Sequence, residues 1–245
     1  MSTAQKYWEH VHEKFEPHYV SEDNASCSFL NIIANEDNLK GKKVLEIGCG
    51  NGLISIFLAK KGANVTAIDN TENAICNVKI MADFNNVTVK AIKMDAMEID
   101  KLKDKYDYIV GRFVLHHIEP FEEFVAKLSS ILNFSTGKGL FYENSDANKL
   151  LMLCRSTLVG KFGIPRFGDG VEIPFQKHEI DMLKKNFHFV HIVYPEMKFW
   201  RLLGQYIFRK NKKLKSFFEK LDKAFYKYLP YFNRYSYEQI IYFHN

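Results

Sequence analysis

Several short groups of residues in this chain combine types and spacing suited to chemistry. Glu46-Ile-Gly48-Cys-Gly50-Asn-Gly52 sets three glycines on alternate positions behind an acid. Glycine lets a backbone turn sharply and approach a bound group with no Cβ in the way. Asp69-Asn70 comes 21 residues after Gly48, and Asp95-Ala96 follows further on; each carboxylate can accept hydrogen bonds from ligand hydroxyls or amines. Arg112-Phe-Val-Leu-His116-His117 adds a fixed cation and two imidazoles. Imidazole is the side chain whose ordinary pKa lies nearest neutrality, hence the usual proton acceptor.

These groups fall at the ends of predicted strands. Lys42–Ile47 reads as a short buried strand running into the glycines, with helical spacing from Leu53 to Lys60. Asn64–Ile68 is a second strand ending at Asp69, followed by a helix from Thr71 to about Asp83. Val87–Lys93 leads to Asp95, and Tyr106–Val110 leads to Arg112. Pro120 opens a helix to about Leu132, and Gly139–Glu143 is a fifth strand. Strands alternating with helices predict a parallel α/β sheet covered on both faces. Residues 160–175 read as a Gly/Pro-rich loop and Gln176–Lys185 as a helix. Phe187–Val193 is a sixth strand and Tyr235–Phe243 a last one.

In such sheets ligands bind beyond the carboxyl ends of the strands, near the point where strand order reverses. There Asp69 can accept both hydroxyls of a ribose, Asp95 can take the exocyclic amine of an adenine, and Glu46 can contact an ammonium group. A dinucleotide fingerprint would require glycine at position 53; the residue is Leu53. The set Glu46–Gly52, Asp69, Asp95-Ala96 and Phe113-Val-Leu-His-His-Ile118 resembles the class I S-adenosylmethionine-dependent methyltransferases. The resemblance covers about Gly41 to Glu143, with Tyr235–Phe243 similar to that family's antiparallel last strand. It implies a seven-stranded, mostly parallel, doubly wound sheet with S-adenosylmethionine (SAM) as methyl donor and S-adenosylhomocysteine (SAH) as product. Glu46, Gly48, Gly50, Gly52, Asp69, Asn70, Asp95, Ala96 and Arg112 are then the expected cofactor residues. The whole of 1–245 reads as one domain, with a helical lid over 1–40, a SAM-binding core over 41–145, an acceptor-side cap region over 146–235 and a final strand over 236–245.

A SAM sulfonium is already a strong electrophile, so the protein's task is alignment of the acceptor and removal of its proton. His116, ahead of His117, is the candidate base; the alternative has one ring capping the next helix and the other packing. Glu143 and Asn144 could orient an acceptor, or Asn144 could cap a helix. Tyr7, Trp8 and Tyr19 belong either to a lid or to core. After the fourth strand there is no Asn-Pro-Pro-Tyr motif, and the chain has no Pro-Cys pair. Phe113-Val-Leu-His-His117 instead resembles the branch acting on small molecules and lipids, which implies methyl transfer to O, N or S of a small metabolite, an amphipathic one among the options. The alternative is a tRNA or protein methyltransferase docking through its basic C-terminal region.

That region is distinct in charge. Residues 198–245 hold eleven Lys/Arg against three Asp/Glu, while the rest of the chain holds 23 against 26. The helical insertion over 198–229 repeats apolar Leu214, Phe217, Phe218, Leu221, Phe225, Tyr228 and Leu229 at helical steps among lysines. It reads as a packed helix, as a cap over an apolar acceptor, or as a peripheral membrane contact; nucleic acid is disfavoured because lysines outnumber arginines. Cys27, Cys49, Cys76 and Cys154 have no CxxC spacing, so no metal site is expected. Scattered cysteines and an N-terminus lacking a signal-like apolar run fit a cytoplasmic protein.

Overall fold

A computed structural model describes residues 3–32, 38–161, 164, 173–208 and 211–245. Seven strands form one sheet: β1 (Lys43–Ile47), β2 (Asn64–Asp69), β3 (Val89–Lys93), β4 (Tyr108–Arg112), β5 (Lys138–Asn144), β6 (Phe189–Val193) and β7 (Glu238–His244). Their order is β3-β2-β1-β4-β5-β7-β6. Only β7 runs against its neighbours, pairing antiparallel with both β5 and β6; the pairings from β3 through β5 are parallel. The order reverses between β1 and β4, which opens a crevice above their carboxyl ends.

Alternation of side chains builds a core on each face of the sheet. Leu45, Ile109, Phe141 and Phe243 meet Phe124, Val125 and Leu128 of α4 (Phe121–Ile131) and Leu183 of α6 (Lys177–Asn186). Their neighbours Val44, Tyr108, Val110 and Leu140 face the other way, onto Ile56, Phe57 and Leu58 of α2 (Leu53–Lys60) and onto Phe29 and Leu30. Helix α3 (Glu72–Phe84) follows β2 and packs on the β2–β3 end with Ile75 and Val78. Helix α1 (Thr3–Val11) and a 3-10 turn (Ala25–Leu30) precede the sheet.

The predicted strands are all present, with no end displaced by more than three residues. The insertion between β6 and β7 is resolved into separate elements. It is helical, as α7 (Trp200–Tyr206) and α8 (Lys212–Tyr228), followed by a 3-10 turn (Pro230–Tyr235). Asn211 starts α8 afresh, its side chain accepting the N–H groups of Lys213 (3.1 Å) and Leu214 (3.2 Å), an N-cap that satisfies donors otherwise left open at a helix start. Helix α5 (Lys149–Leu158) is capped by Asn148, which accepts from Leu151 N–H at 3.0 Å. Asn144, considered as a cap, instead lies within β5 and accepts Phe175 N–H on its carbonyl. Most of the expected loop over 160–175 lies outside the described residues.

Candidate active site

The glycine loop leaves β1 with Gly48 and Gly50 at φ of 68° and 48°, conformations that cost a side-chain-bearing residue energy. A Cβ on Gly48 would also lie 2.6 Å from Val114 Cγ2, so the loop leaving β1 and the loop leaving β4 meet there in close contact. Gly50 donates its N–H to Asp69 Oδ2 at 3.0 Å. Asp69 Oδ1 accepts from Thr71 N–H (3.0 Å) and Thr71 Oγ1 (2.8 Å). A carboxylate has about four lone-pair sites, so local bonds hold Asp69 in place and leave it one acceptor site for a ligand. Asp95 caps a 3-10 turn through Met97 N–H (2.8 Å to Oδ1).

These groups share a cleft of about 460 Å³ above the reversal point, within the range of small-molecule sites. Gly48, Gly50, Asp69, Asn70, Asp95, Ala96 and Arg112 line it, with apolar walls from Ile47, Ile68, Met94, Val114 and Ile118. Two expected cofactor residues do not. Glu46 is fully buried and its carboxyl receives the Ser55 hydroxyl of α2; burial pushes its pKa up to about 8. Gly52, at φ 83°, starts α2, and a Cβ there would touch Val78 at 3.0 Å. Both serve the packing beneath the loop. Asn51, between them in the motif, bonds to His12 and Asn77.

The histidine pair divides in the same way. His116, ranked ahead for catalysis, turns inward: its side chain is 2% exposed and its Nδ1 lies 2.6 Å from Glu143 Oε2. Glu143 Oε1 accepts the N–H groups of Val114 (2.8 Å) and Leu115 (2.7 Å). A carboxylate used this way accepts, so the His116 ring carries its proton on Nδ1. Glu143 is thus wholly buried and anchors the loop leaving β4; it does not orient an acceptor directly. His117 is the member that lines the cleft, its ring 4.1 Å from that of His116. Phe113, at φ 54°, holds a left-handed backbone conformation beside it, strain of about 1–3 kcal/mol that Glu143 and the close contact at Gly48 sustain.

Helix α1 crosses the cleft. Gln5, Trp8 and His12 line it and sit at steps of three and four on or just beyond α1. Gln5 Nε2 donates to the carbonyl of Asn70 (2.8 Å), His12 Nδ1 pairs with Asn51 Oδ1 (2.8 Å), and Asn77 Nδ2 donates to both the His12 carbonyl (2.9 Å) and Asn51 Oδ1 (3.0 Å). The Trp8 ring meets His117 edge-on at 5.9 Å. Of the aromatics considered for a lid, Trp8 lines the cleft, Tyr7 packs on Trp8 at 5.2 Å, and Tyr19 is 69% exposed beneath Lys60. Sequence reading missed His12 and the partnership of Glu143 with His116.

On the far side Arg112 lies over Phe113 (5.0 Å) and Tyr142 (5.4 Å). The Tyr142 hydroxyl donates to Glu238, which also receives Lys198; burial first, then the Glu238 charge, pushes the Tyr142 pKa up and keeps it a neutral phenol. Burial likewise pushes the Cys27 thiol up to about 12, too high for a thiolate nucleophile near neutral pH. Among the described residues no cluster of metal ligands occurs.

A family model described as a methyltransferase domain matches residues 8–194. The ubiquinone biosynthesis O-methyltransferase of Rickettsia bellii (strain OSU 85-389) is 33% identical over 97 residues, 40% of each chain. The protein of the same name from Coxiella burnetii (strain Dugway 5J108-111) is 30% identical over 119 residues, 49% of this chain and 50% of its own. The chain therefore matches half or less of the length of these curated relatives. Among solved structures, the N-methyltransferase NodS from Bradyrhizobium japonicum WM9, in complex with SAH, aligns with a TM-score of 0.62 at 15% identity, covering 100% of this chain and 99% of its own. Magnesium protoporphyrin IX methyltransferase from Synechocystis PCC 6803 with bound SAH aligns at 0.58 and 17% identity, covering 100% and 95%. At such identities the likeness is one of fold.

Proposed function

The chain belongs to the methyltransferase domain family; from that premise we propose that it uses SAM to methylate a hydroxyl oxygen of a small, partly apolar molecule. The observation that carries this reading is a single cleft shared by the glycine loop, two strand-end carboxylates and the His117 ring. The O-methyltransferase name of the relatives supports oxygen as the atom methylated.

The residues present fit the donor. Gly48 and Gly50 line the cleft where their backbone would meet the aminoacyl group, Asp69 would accept from a ribose hydroxyl, and Asp95 would accept from an adenine amine, with Met94, Met97 and Ile118 as apolar lining. Bound there, SAM supplies an electrophilic methyl group. His117 would accept the proton of the acceptor hydroxyl and so make that oxygen the stronger nucleophile. His116 and Glu143 hold the His117 loop against β5 and are positioning residues. Helix α1 excludes water from the donor half. In this division residues 1–40 are the lid, 41–145 the donor site and 146–235 the acceptor side of one domain.

Calorimetry with SAH and labelled methyl transfer to a panel of small phenols test this together. Asp69→Ala should lower SAH affinity by at least tenfold. His117→Ala should keep that affinity while turnover falls by about 10²–10⁴-fold, the span of general-base contributions. Equal SAH affinity in Asp69→Ala would refute the donor site, and unchanged turnover in His117→Ala would remove that ring from catalysis.

A further inference from the structure

The insertion between β6 and β7 is a stiff helical hairpin. Trp200 of α7 packs on Phe225 of α8 at 5.7 Å, and Phe208 stacks on Phe218 at 5.7 Å. A Cβ on Gly204 would lie 3.2 Å from Lys215 Cα, so the two backbones run close. Asp222, wholly buried, accepts the N–H groups of Phe199 (3.3 Å), Trp200 (2.8 Å) and Arg201 (2.9 Å) as well as Arg201 Nε (3.1 Å). The inner face of α8 is used up in this way. Asp222 is nevertheless the one residue α8 buries.

The outer face has two parallel rows. Phe217, Leu221, Ala224 and Tyr228 recur at steps of four, three and four, and Lys213, Lys220 and Lys227 recur every seven alongside them. Phe217 is 56% and Tyr228 69% exposed, and the turn after α8 adds Tyr231 at 64%. Of the 17 exposed large apolar side chains among the described residues, eight fall between Ile207 and Phe232. Such concentration marks a contact surface, since monomers scatter these residues singly. Helix α5, tied to that turn by Asn148 Nδ2 and the Tyr235 carbonyl (3.1 Å), buries nothing and exposes Leu150 and Leu153 as well.

We propose that this face docks the protein on an anionic lipid surface. Charge selects that occupant: the surplus of eight positive charges in 198–245 stands against a net three negative on the rest of the chain. Phenyl and phenol rings enter the interfacial zone while lysines extend their stems past them toward headgroups. No helix among the described residues is long and apolar enough to cross a membrane, so the contact is interfacial. The face also connects to the cleft. Glu238, where the insertion rejoins the sheet, holds Tyr142, whose ring abuts Arg112 and Phe113. Docking would thus set the acceptor side against the lipid from which an apolar acceptor is drawn. The docking surface stands independently of the methyl-transfer reading.

Sedimentation of the full chain with vesicles tests it, using phosphatidylcholine alone and phosphatidylcholine mixed with phosphatidylglycerol. Binding should favour the anionic vesicles and weaken with salt. Each lysine near such a surface is worth roughly fivefold, so combined Lys213→Glu, Lys220→Glu and Lys227→Glu should lower partitioning by at least about a hundredfold. Combined Phe217→Ser and Tyr228→Ser should lower it about tenfold, and both variants should retain SAH affinity. All three lysines are exposed, so the first variant decides the matter even if the second disturbs α8. Absence of vesicle binding by the unaltered chain, or equal partitioning of the lysine variant, would overturn the proposal. So would displacement from vesicles by a tRNA competitor at equal phosphate, which would mark a nucleic-acid surface.

Discussion

Helix α2 buries Ile54, Ser55, Ile56, Phe57 and Leu58 within eight residues, whereas α8, with 17 residues, buries Asp222 alone and α5 buries none. The first packs beneath the glycine loop of the cleft, and the others belong to the segments that the proposed function gives to the acceptor. The glycine-loop half is tightly built: its loops meet in close contact at Gly48 and Val114, and three hydrogen bonds hold Asp69. The acceptor half is clasped at a few polar points and presents apolar surface outward. A site for an invariant donor needs the first kind of construction. A surface that meets a variable or extended partner needs the second. Perturbations in the two halves should therefore differ in reach.

The largest effect is expected at Gly48→Ala. A residue forced to positive φ costs about 1–2 kcal/mol, and insertion into packed surroundings about 1–3 kcal/mol more; the new Cβ would meet Val114 at 2.6 Å. Urea unfolding should show a loss of about 2–5 kcal/mol, and calorimetry should show SAH binding abolished. Gly41→Ala isolates the conformational part, because Gly41 has φ 76° with nothing within 4 Å of its added Cβ. It should lose only about 1–2 kcal/mol and keep its SAH affinity. Equal losses in the two variants would mean that the contact between loops contributes nothing.

The next effect is a pH dependence within the donor half. Burial raises Glu46 from its ordinary 4.5 to about 8, with the Ser55 hydrogen bond acting against the shift. The unfolded chain ionises this carboxyl near its ordinary value, while the folded chain holds the proton until about pH 8. A raised folded pKa stabilises fully below the unfolded value, and that contribution is lost as pH climbs through the folded one. Between pH 5 and 9 wild type should lose about 4 kcal/mol that Glu46→Gln retains. Unfolding curves with the same pH slope for both proteins would show that Glu46 is not held neutral.

Sequence legibility followed the same division. The strands and their acidic ends were readable because short, mostly apolar strands alternate with helices, and because Gly48 and Gly50 occupy conformations that only glycine takes cheaply. The histidines were not. His116 and His117 are adjacent in one 3-10 turn, and only the bond to Glu143, 27 residues away, decides which ring faces the cleft. Glu46 and Gly52 sit within the motif yet serve Ser55 and Val78, contacts made by residues that local spacing does not reveal. His12 left a faint signal in its three- and four-residue steps from Gln5 and Trp8. The start of α8 also had a local sign, Asn211, a good cap residue just ahead of the apolar period that opens at Leu214.

The smallest of these effects is expected at Asp222→Ala, and its reach is more informative than its size. The substitution leaves three N–H groups at the start of α7 without their carboxylate and leaves Arg201 with Glu196 as its remaining acidic partner. Loss of a cap together with half of a buried ion pair costs about 3 kcal/mol. Because α8 buries nothing else, that cost should fall on the hairpin alone. Amide exchange should quicken through α7 and α8, protection should persist in β1 and β4, and SAH affinity should stay unchanged. Uniform loss of protection across the sheet would mean that the two halves unfold as one, and the contrast in burial between α2 and α8 would then carry no energetic boundary.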